Sequence, residues 1–194
     1  MIRRHIMMVC LALALCPGVA VAGAGSDEGV GYYPGGQVQW EYLYQQGEVR
    51  EARWYDEGGR LAARTLYEGG QATASEGYRA DGTLEWRSRM LPDSHQEVTR
   101  FDRARRPELR YQLKGDLPDG VSMTYYSNGR LRQTVLFRNG ILHGPAQNFA
   151  EEGYLESEYS YKDGVLDGVL RQYAADGRLL EEQTYLGGKP QEKR

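Results

Sequence analysis

The chain has 194 residues and a formal net charge of −3, from 24 Lys and Arg against 27 Asp and Glu. A net acidic chain is a poor nucleic-acid binder, because that affinity is mostly phosphate neutralisation by cations. Its two cysteines, Cys10 and Cys16, both lie near the start, so the remainder offers no disulfide, thiol nucleophile or thiolate metal site.

The opening MIRRHIMMVCLALALCPGVAVAGAG reads as a secretory signal peptide. Arg3, Arg4 and His5 form a positive start, Ile6 to Cys16 an apolar run too short to span a bilayer, and Ala20-Val21-Ala22 a cleavage site. Leu15 before Cys16 and Pro17 after it do not suit a lipid-attachment motif. Residues 1–22 are therefore set apart as the leader, with cleavage expected after Ala22 and Gly25 as the alternative start. The expected location is outside the cytoplasm, in the periplasm. The exported part carries 22 basic and 27 acidic residues, since Arg3 and Arg4 leave with the leader.

Residues 23–31 form a short lead-in, and from Tyr32 a pattern repeats. An aromatic followed four residues later by glycine occurs at Tyr32/Gly36, Tyr55/Gly59, Tyr78/Gly82, Tyr125/Gly129, Phe149/Gly153 and Tyr173/Gly177. Successive glycines are 23, 23, 47, 24 and 24 residues apart. The double gap hides a seventh, degenerate unit over 93–115, where Phe101 opens FDRAR and Arg105 replaces the glycine. The repeat array thus covers 32–190, and 191–194 is a tail.

Two residues after each turn glycine stands Val38, Leu61, Leu84, Pro107, Leu131, Leu155 or Leu179, and six residues later Tyr44, Tyr67, Met90, Leu113, Phe137, Tyr161 or Tyr185. An even spacing puts both on one face of an extended strand, with polar residues on the other. A second turn follows at Gln46-Gly47, Gly69-Gly70, Asn139-Gly140, Asp163-Gly164 and Gly187-Gly188. The expected fold is all-β: an elongated antiparallel meander of seven hairpins, fourteen strands in a twisted single-layer sheet. Its 15 Tyr against three Phe suit such a thin sheet, where tyrosine buries its ring and keeps its hydroxyl near water. The Asn-Gly pairs at Asn128-Gly129 and Asn139-Gly140 are the strongest hairpin signals, since both central residues of a type I′ turn need positive φ.

The array has a seam. Later units gain a residue and a second glycine at Gly120, Gly144 and Gly168, where earlier units have Arg50, Thr73 and Gln96. The degenerate unit just before it is expected to be the weakest. Pro107 removes a ladder donor there and the missing glycine should spoil the turn.

YYSNGRL with FRNGILHG, FAEEGYL with YKDGVLDG, and YAADGRL with YLGGKP together resemble the MORN repeat in its bacterial variant form. The likeness is strong over 120–190, moderate over 32–90 and poor over 93–115. What it implies is a β-hairpin scaffold for protein or membrane contacts, and an antitoxin-like role of neutralising a toxin by binding. A fold does not itself define a function.

Catalytic signals are absent from the sequence. His143 lies in GILHGP, read as a turn, where the next unit has Asp167; His95 lies in PDSHQE with no partner at metal-ligand spacing. No serine sits in a G-x-S-x-G context. Glu151/Glu152 and Glu181/Glu182, as strand neighbours, would point to opposite faces. No catalytic residue, metal ligand, cofactor or nucleic-acid partner is expected. The candidate surface is instead an outward row: Glu41, Arg64, Arg87, Arg110, Thr134, Glu158 and Glu182, basic in the middle and acidic at its ends. With Arg100, Arg103, Arg105 and Arg106 of the degenerate unit, Arg64, Arg87 and Arg110 form the expected partner-binding patch. The expected partner is another protein, a toxin or envelope component, with anionic lipid as the alternative. Open edge strands leave end-to-end dimers as an option.

Overall fold

The computed structural model describes residues 29–192. The leader (1–22), the lead-in up to residue 28 and the last two residues lie outside the described residues. Alternating apolar and polar residues between glycine turns produce strands β1 (Val30–Tyr32), β2 (Val38–Gln45), β3 (Glu48–Tyr55), β4 (Leu61–Glu68), β5 (Gln71–Tyr78), β6 (Leu84–Met90), β7 (Gln96–Phe101) and β8 (Pro107–Lys114). They continue as β9 (Leu117–Pro118), β10 (Gly120–Tyr125), β11 (Leu131–Arg138), β12 (Ile141–Phe149), β13 (Leu155–Lys162), β14 (Val165–Leu166), β15 (Gly168–Tyr173), β16 (Leu179–Leu186) and β17 (Lys189–Pro190). All belong to one antiparallel sheet. Successive strands pair from β1 with β2 through to β16 with β17, except that β8 pairs with both β9 and β10 and β13 with both β14 and β15. β9 and β10 are one strand broken at Asp119, and β14 and β15 one broken at Asp167. With these joined, the fourteen expected strands are present, and β17 is an addition.

Two turn chemistries join most of the strands. In the aromatic-x-x-x-Gly loops, Gly59 N donates to Asp56 O (2.9 Å) and Asp56 N to Arg60 O (2.8 Å), with Gly59 at φ 75°. This is a type I turn closed by one left-handed residue, and the pairing register slips at the preceding aromatic, between Trp54 and Tyr55. The two-residue loops at 46–47, 69–70, 139–140, 163–164 and 187–188 are type I′, with Asn139 and Gly140 at φ of 48° and 80°; at 115–116 only Gly115 is left-handed (φ 60°), and between β6 and β7 Ser94 (φ 66°) closes a loop of the first kind. The two Asn-Gly pairs therefore differ. At 128–129 only Gly129 is left-handed (φ 83°), and Gly129 N donates to Tyr126 O at 2.9 Å.

The degenerate unit keeps its hairpin. Arg105 takes the left-handed conformation itself, at φ 61°, and Arg105 N still donates to Asp102 O at 3.0 Å. The lost glycine thus appears as local strain rather than a broken turn. Pro107 begins β8 opposite Phe101 at the register slip, a position where a strand tolerates proline. This unit also holds the apolar core: Val98, Tyr111 and Leu113 are buried together, with Leu109 packed against them. The unit expected to be weakest is the one with the best-buried apolar cluster.

One face of the sheet is more buried than the other. Its central row runs in direct cross-strand register through Tyr42, Ala52, Thr65, Ser75, Ser88, Val98 and Tyr111. Ala52, Thr65, Ser88, Val98 and Tyr111 are all buried. Small side chains let large neighbours lie across them, and the hydroxyls satisfy one another: Thr65 Oγ1 and Ser75 Oγ are 2.9 Å apart. Beside this row, Trp86 stands opposite Gly77 and its indole lies over that glycine; Trp40 does the same to Gly31.

Candidate partner-binding face

The opposite face carries a single charged ladder. Cross-strand register joins Glu41, Arg53, Arg64, Glu76, Arg87, Thr99, Arg110, Met123, Thr134, Gln147, Glu158, Arg171 and Glu182 in unbroken succession. The expected row holds every second member of this ladder. Strands running the other way supply Arg53, Glu76, Thr99, Met123, Gln147 and Arg171 between them. The sequence row therefore overstates the basic character of the middle.

Glu76 is the hub of the first half. It is buried, and Arg64 Nε (2.8 Å), Arg87 Nε (2.7 Å) and the Tyr78 hydroxyl (2.5 Å) all donate to its carboxylate. Burial alone would push this carboxyl up, but the three donors outweigh it and hold its pKa below the ordinary value. Arg53 and Arg64 stand directly opposite each other, and Glu51 lies 2.8 Å and 3.9 Å from their guanidinium nitrogens. At the far end, Arg171 bridges Glu158 (3.3 Å) and Glu182 (2.8 Å), while the Tyr173 hydroxyl donates to Glu158 at 2.6 Å.

The seven candidate arginines occupy three places. Arg64, Arg87 and Arg110 are in the ladder. Arg100 stands opposite Trp86 and Leu109 and reaches Glu85 at 3.5 Å. Arg103, Arg105 and Arg106 belong to the exposed loop between β7 and β8, where Arg106 is tied to Asp102 (2.7 Å) and Arg103 lies 3.8 Å from Asp81. Arg110 differs from the other ladder arginines: among the described residues it has no carboxylate partner, and its Nε is buried without a hydrogen bond. Its cross-strand neighbours, Thr99 and Met123, are both uncharged.

Two features went unread in the sequence. His95, half-buried, puts Nε2 3.1 Å from Asp119 Oδ1, and Asp119 Oδ2 accepts from Asn139 N at 2.8 Å. This clasp joins the degenerate unit to the next two hairpins, across 24 and 20 residues. Chiefly the hydrogen bond to Asp119 raises the His95 pKa, with burial opposing and Asp93 assisting. The Asn139 amide, then His95, hold the Asp119 carboxyl below its ordinary range. The seam glycines mark the same device: Asp167 Oδ2 accepts from Gly187 N at 3.0 Å. His143 lies within β12, not in a turn, at the corresponding position, 3.4 Å from Asp163. The signal was the Asp/His-Gly pair 20 residues before each turn, legible only once register is known. Glu151 and Glu152 occupy a turn rather than a strand, and their carbonyls accept from Arg130 at 3.1 Å and 2.7 Å.

A second surface lies on the short-loop edge of the same face. Leu117, Ile141 and Val165, exposed by 51%, 51% and 44%, stand opposite the exposed Lys114, Arg138 and Lys162. Among the described residues no group of His, Cys, Asp and Glu is arranged to hold a metal, and no helix is long and apolar enough to cross a membrane.

No curated protein is significantly similar to the chain. Solved structures that share local shape include a TarM mutant from S. aureus in complex with fondaparinux, alpha-GlcNAc-glycerol and UDP. It has 13% identity and a TM-score of 0.39, over 53% of this chain and 20% of that one. A further TarM structure has 12% identity and a TM-score of 0.30, over 60% of this chain and 21% of that one. A GtfA/B complex bound to UDP and GlcNAc has 12% identity and a TM-score of 0.26, over 76% and 25%. The chain thus spans about a quarter or less of each of those proteins. Residues 118–139, which contain the seam, β10 and β11, match the family model of the MORN repeat variant. MORN repeats are generally protein- or lipid-binding modules, and the match supports a MORN-repeat protein.

Proposed function

We propose that the protein is a non-enzymatic, exported binding module whose charged face receives an acidic surface of another protein. In its most specific form this is an antitoxin or immunity-type role in the periplasm, where the module occludes a toxin. Arg110 carries the reading: it is the ladder arginine with no carboxylate of its own, in a row where Arg53, Arg64, Arg87 and Arg171 each have one. An incoming carboxylate would supply the counter-charge that Arg110 lacks, and the exposed loop bearing Arg103 and Arg105 lies on the same hairpin, β7–β8. Arginine suits this role through its planar, bidentate donor geometry.

The test is affinity capture from an envelope extract with the wild-type chain and with Arg105→Glu/Arg110→Glu, at low and high salt. A specific protein retained by the wild type, released by salt and lost with the double variant is the expected outcome. Undiminished retention by the variant overturns the site. Lethality of a neighbouring toxin gene in the absence of this protein tests the immunity form.

A second reading is an envelope scaffold on anionic lipid or peptidoglycan. The turn-edge row favours it, since alternating cations and exposed aliphatics suit a negatively charged bilayer surface. Salt-sensitive sedimentation with anionic vesicles, lost in Lys114→Glu/Lys162→Glu, is its expected signature.

A further inference from the structure

The face away from the charged ladder holds a second continuous row. In the first half its cross-strand register runs Trp40, Trp54, Ala63, Gly77 and Trp86, so all three tryptophans of the chain stand in one line. The line passes through Arg100 and Leu109 on the β7–β8 hairpin. It then continues as Thr124, Gln133, Asn148, Ser157 and Gln172. Its single ion between Trp40 and Gln172 is Arg100, which meets Glu85 at 3.5 Å. An aromatic half and an amide half thus share one nearly neutral row.

The indoles lie over small residues. A Cβ at Gly77 would meet Trp86 Nε1 at 2.1 Å, and one at Gly31 would meet Trp40 Nε1 at 2.2 Å, so the N–H side of each ring sits against a glycine. All three tryptophans stay partly exposed, and every described strand belongs to the same sheet, so no second layer covers them. Among the described residues no other ring or guanidinium stacks on Trp54 or Trp86. The amide half is ordered by its own bonds. Gln133 Nε2 donates to Asn148 Oδ1 (2.9 Å) and to the Tyr159 hydroxyl (3.2 Å), and Asn148 Nδ2 donates to Ser157 Oγ (3.0 Å). That relay leaves the Gln133 carbonyl and one Asn148 N–H unused. Thr124 and the exposed Gln172 make no side-chain hydrogen bond among the described residues.

We propose that this row binds an uncharged polysaccharide of flat, ribbon-like form, laid across the strands. Its sugar faces rest on Trp54 and Trp86, and its hydroxyls meet Gln133, Asn148 and Gln172. A pyranose ring has an apolar C–H face and a rim of hydroxyls that both donate and accept, which ring faces and neutral amides in one line complement. Trp54 and Trp86 are three strands apart, about 14 Å, so the fitting ligand is a chain rather than a single sugar. Single-stranded nucleic acid is the poorer occupant, because its phosphates need cations and the row supplies only Arg100. A proline-rich peptide is poorer too, since its carbonyls need outward donors and the indole N–H groups of Trp40 and Trp86 face glycine.

The test uses the full chain. Cellohexaose and chitohexaose, both flat ribbons, are titrated against tryptophan emission, with the coiled maltohexaose as control. Because every tryptophan stands in the row, a saturable blue shift with at least one flat ribbon, and a weaker response to maltohexaose, is expected. Binding isotherms on insoluble cellulose and chitin then read the amide half. Trp86→Ala should weaken retention about tenfold and Gln172→Ala about threefold. Gln172 has no internal partner, so its replacement leaves the fold intact, and far-UV spectra check Trp86→Ala. Emission unmoved by both flat ribbons at their solubility limits, an equal response to maltohexaose, or wild-type retention of both variants overturns the proposal. So does emission that answers to oligothymidylate or polyproline and to neither flat ribbon. Such a failure leaves the Arg110 reading to the capture experiment, which concerns the other face of the sheet.

Discussion

Replacing Gly77 by alanine is the sharpest test of how this thin sheet packs. A Cβ at residue 77 would lie 2.1 Å from Nε1 and 2.3 Å from Cε2 of Trp86, far inside contact distance, so the indole must leave its seat. Overpacking of this kind costs about 1–3 kcal/mol. Gly77 has no positive φ, so alanine recovers about 0.4–1 kcal/mol by restricting the unfolded chain. The net expectation is a loss of about 1–2 kcal/mol. Urea unfolding, read by far-UV circular dichroism and tryptophan emission, measures it, and the emission should shift red as Trp86 becomes more exposed. In a Trp86→Ala background the same Gly77→Ala change should turn neutral or stabilising, because the collision is gone. A Gly77→Ala protein as stable as wild type, with unchanged emission, would refute the packing.

Glu76→Gln should destabilise by about 2 kcal/mol, since two guanidinium groups and a tyrosine hydroxyl lose their shared carboxylate; chemical denaturation measures the loss. The lowered pKa of Glu76 means that its contribution is present above its unfolded value of 4.5 and disappears as pH falls through the folded value, so wild type and Glu76→Gln should converge in acid. His95 behaves oppositely. Its raised pKa makes its contribution complete below the unfolded value of 6.5 and lost as pH rises through the folded one, so wild type and His95→Gln should converge at alkaline pH. Arg105→Gly should stabilise by about 0.5–1 kcal/mol by relieving the left-handed arginine, while weakening capture of the partner; a stability loss instead would remove the strain argument.

The glycine period made the fold legible because both turn types need a left-handed residue, and sequence displays where those residues are affordable. It could not distinguish the turns: Asn128-Gly129 and Asn139-Gly140 look alike, and only loop length and bulge position separate type I with a bulge from type I′. The charged face was half legible. Spacing within equivalent strands located Arg64, Arg87 and Arg110, but the antiparallel partners between them depend on register. Glu76 and Arg171 therefore went unseen, and a neutralised ladder read as a basic strip. His95 and Asp119 are distant in sequence and meet only through the strand break at Asp119. Leu113 was legible as a same-face anchor of its unit, but its packing with Val98 was hidden for another reason: a unit losing its turn glycine looked decayed while its strands kept the strongest apolar packing.

The central claim is that this charged face, around Arg110, holds another protein. Met123 stands directly opposite Arg110 on the same face. A photo-reactive amino acid at Met123, irradiated in the producing cell, tests the contact without removing the arginine. The account predicts a discrete protein adduct at Met123 that disappears when Arg110→Glu is added, and little adduct from the same group at Ser75 on the buried face. No protein adduct at Met123, or an adduct indifferent to Arg110→Glu, would contradict it.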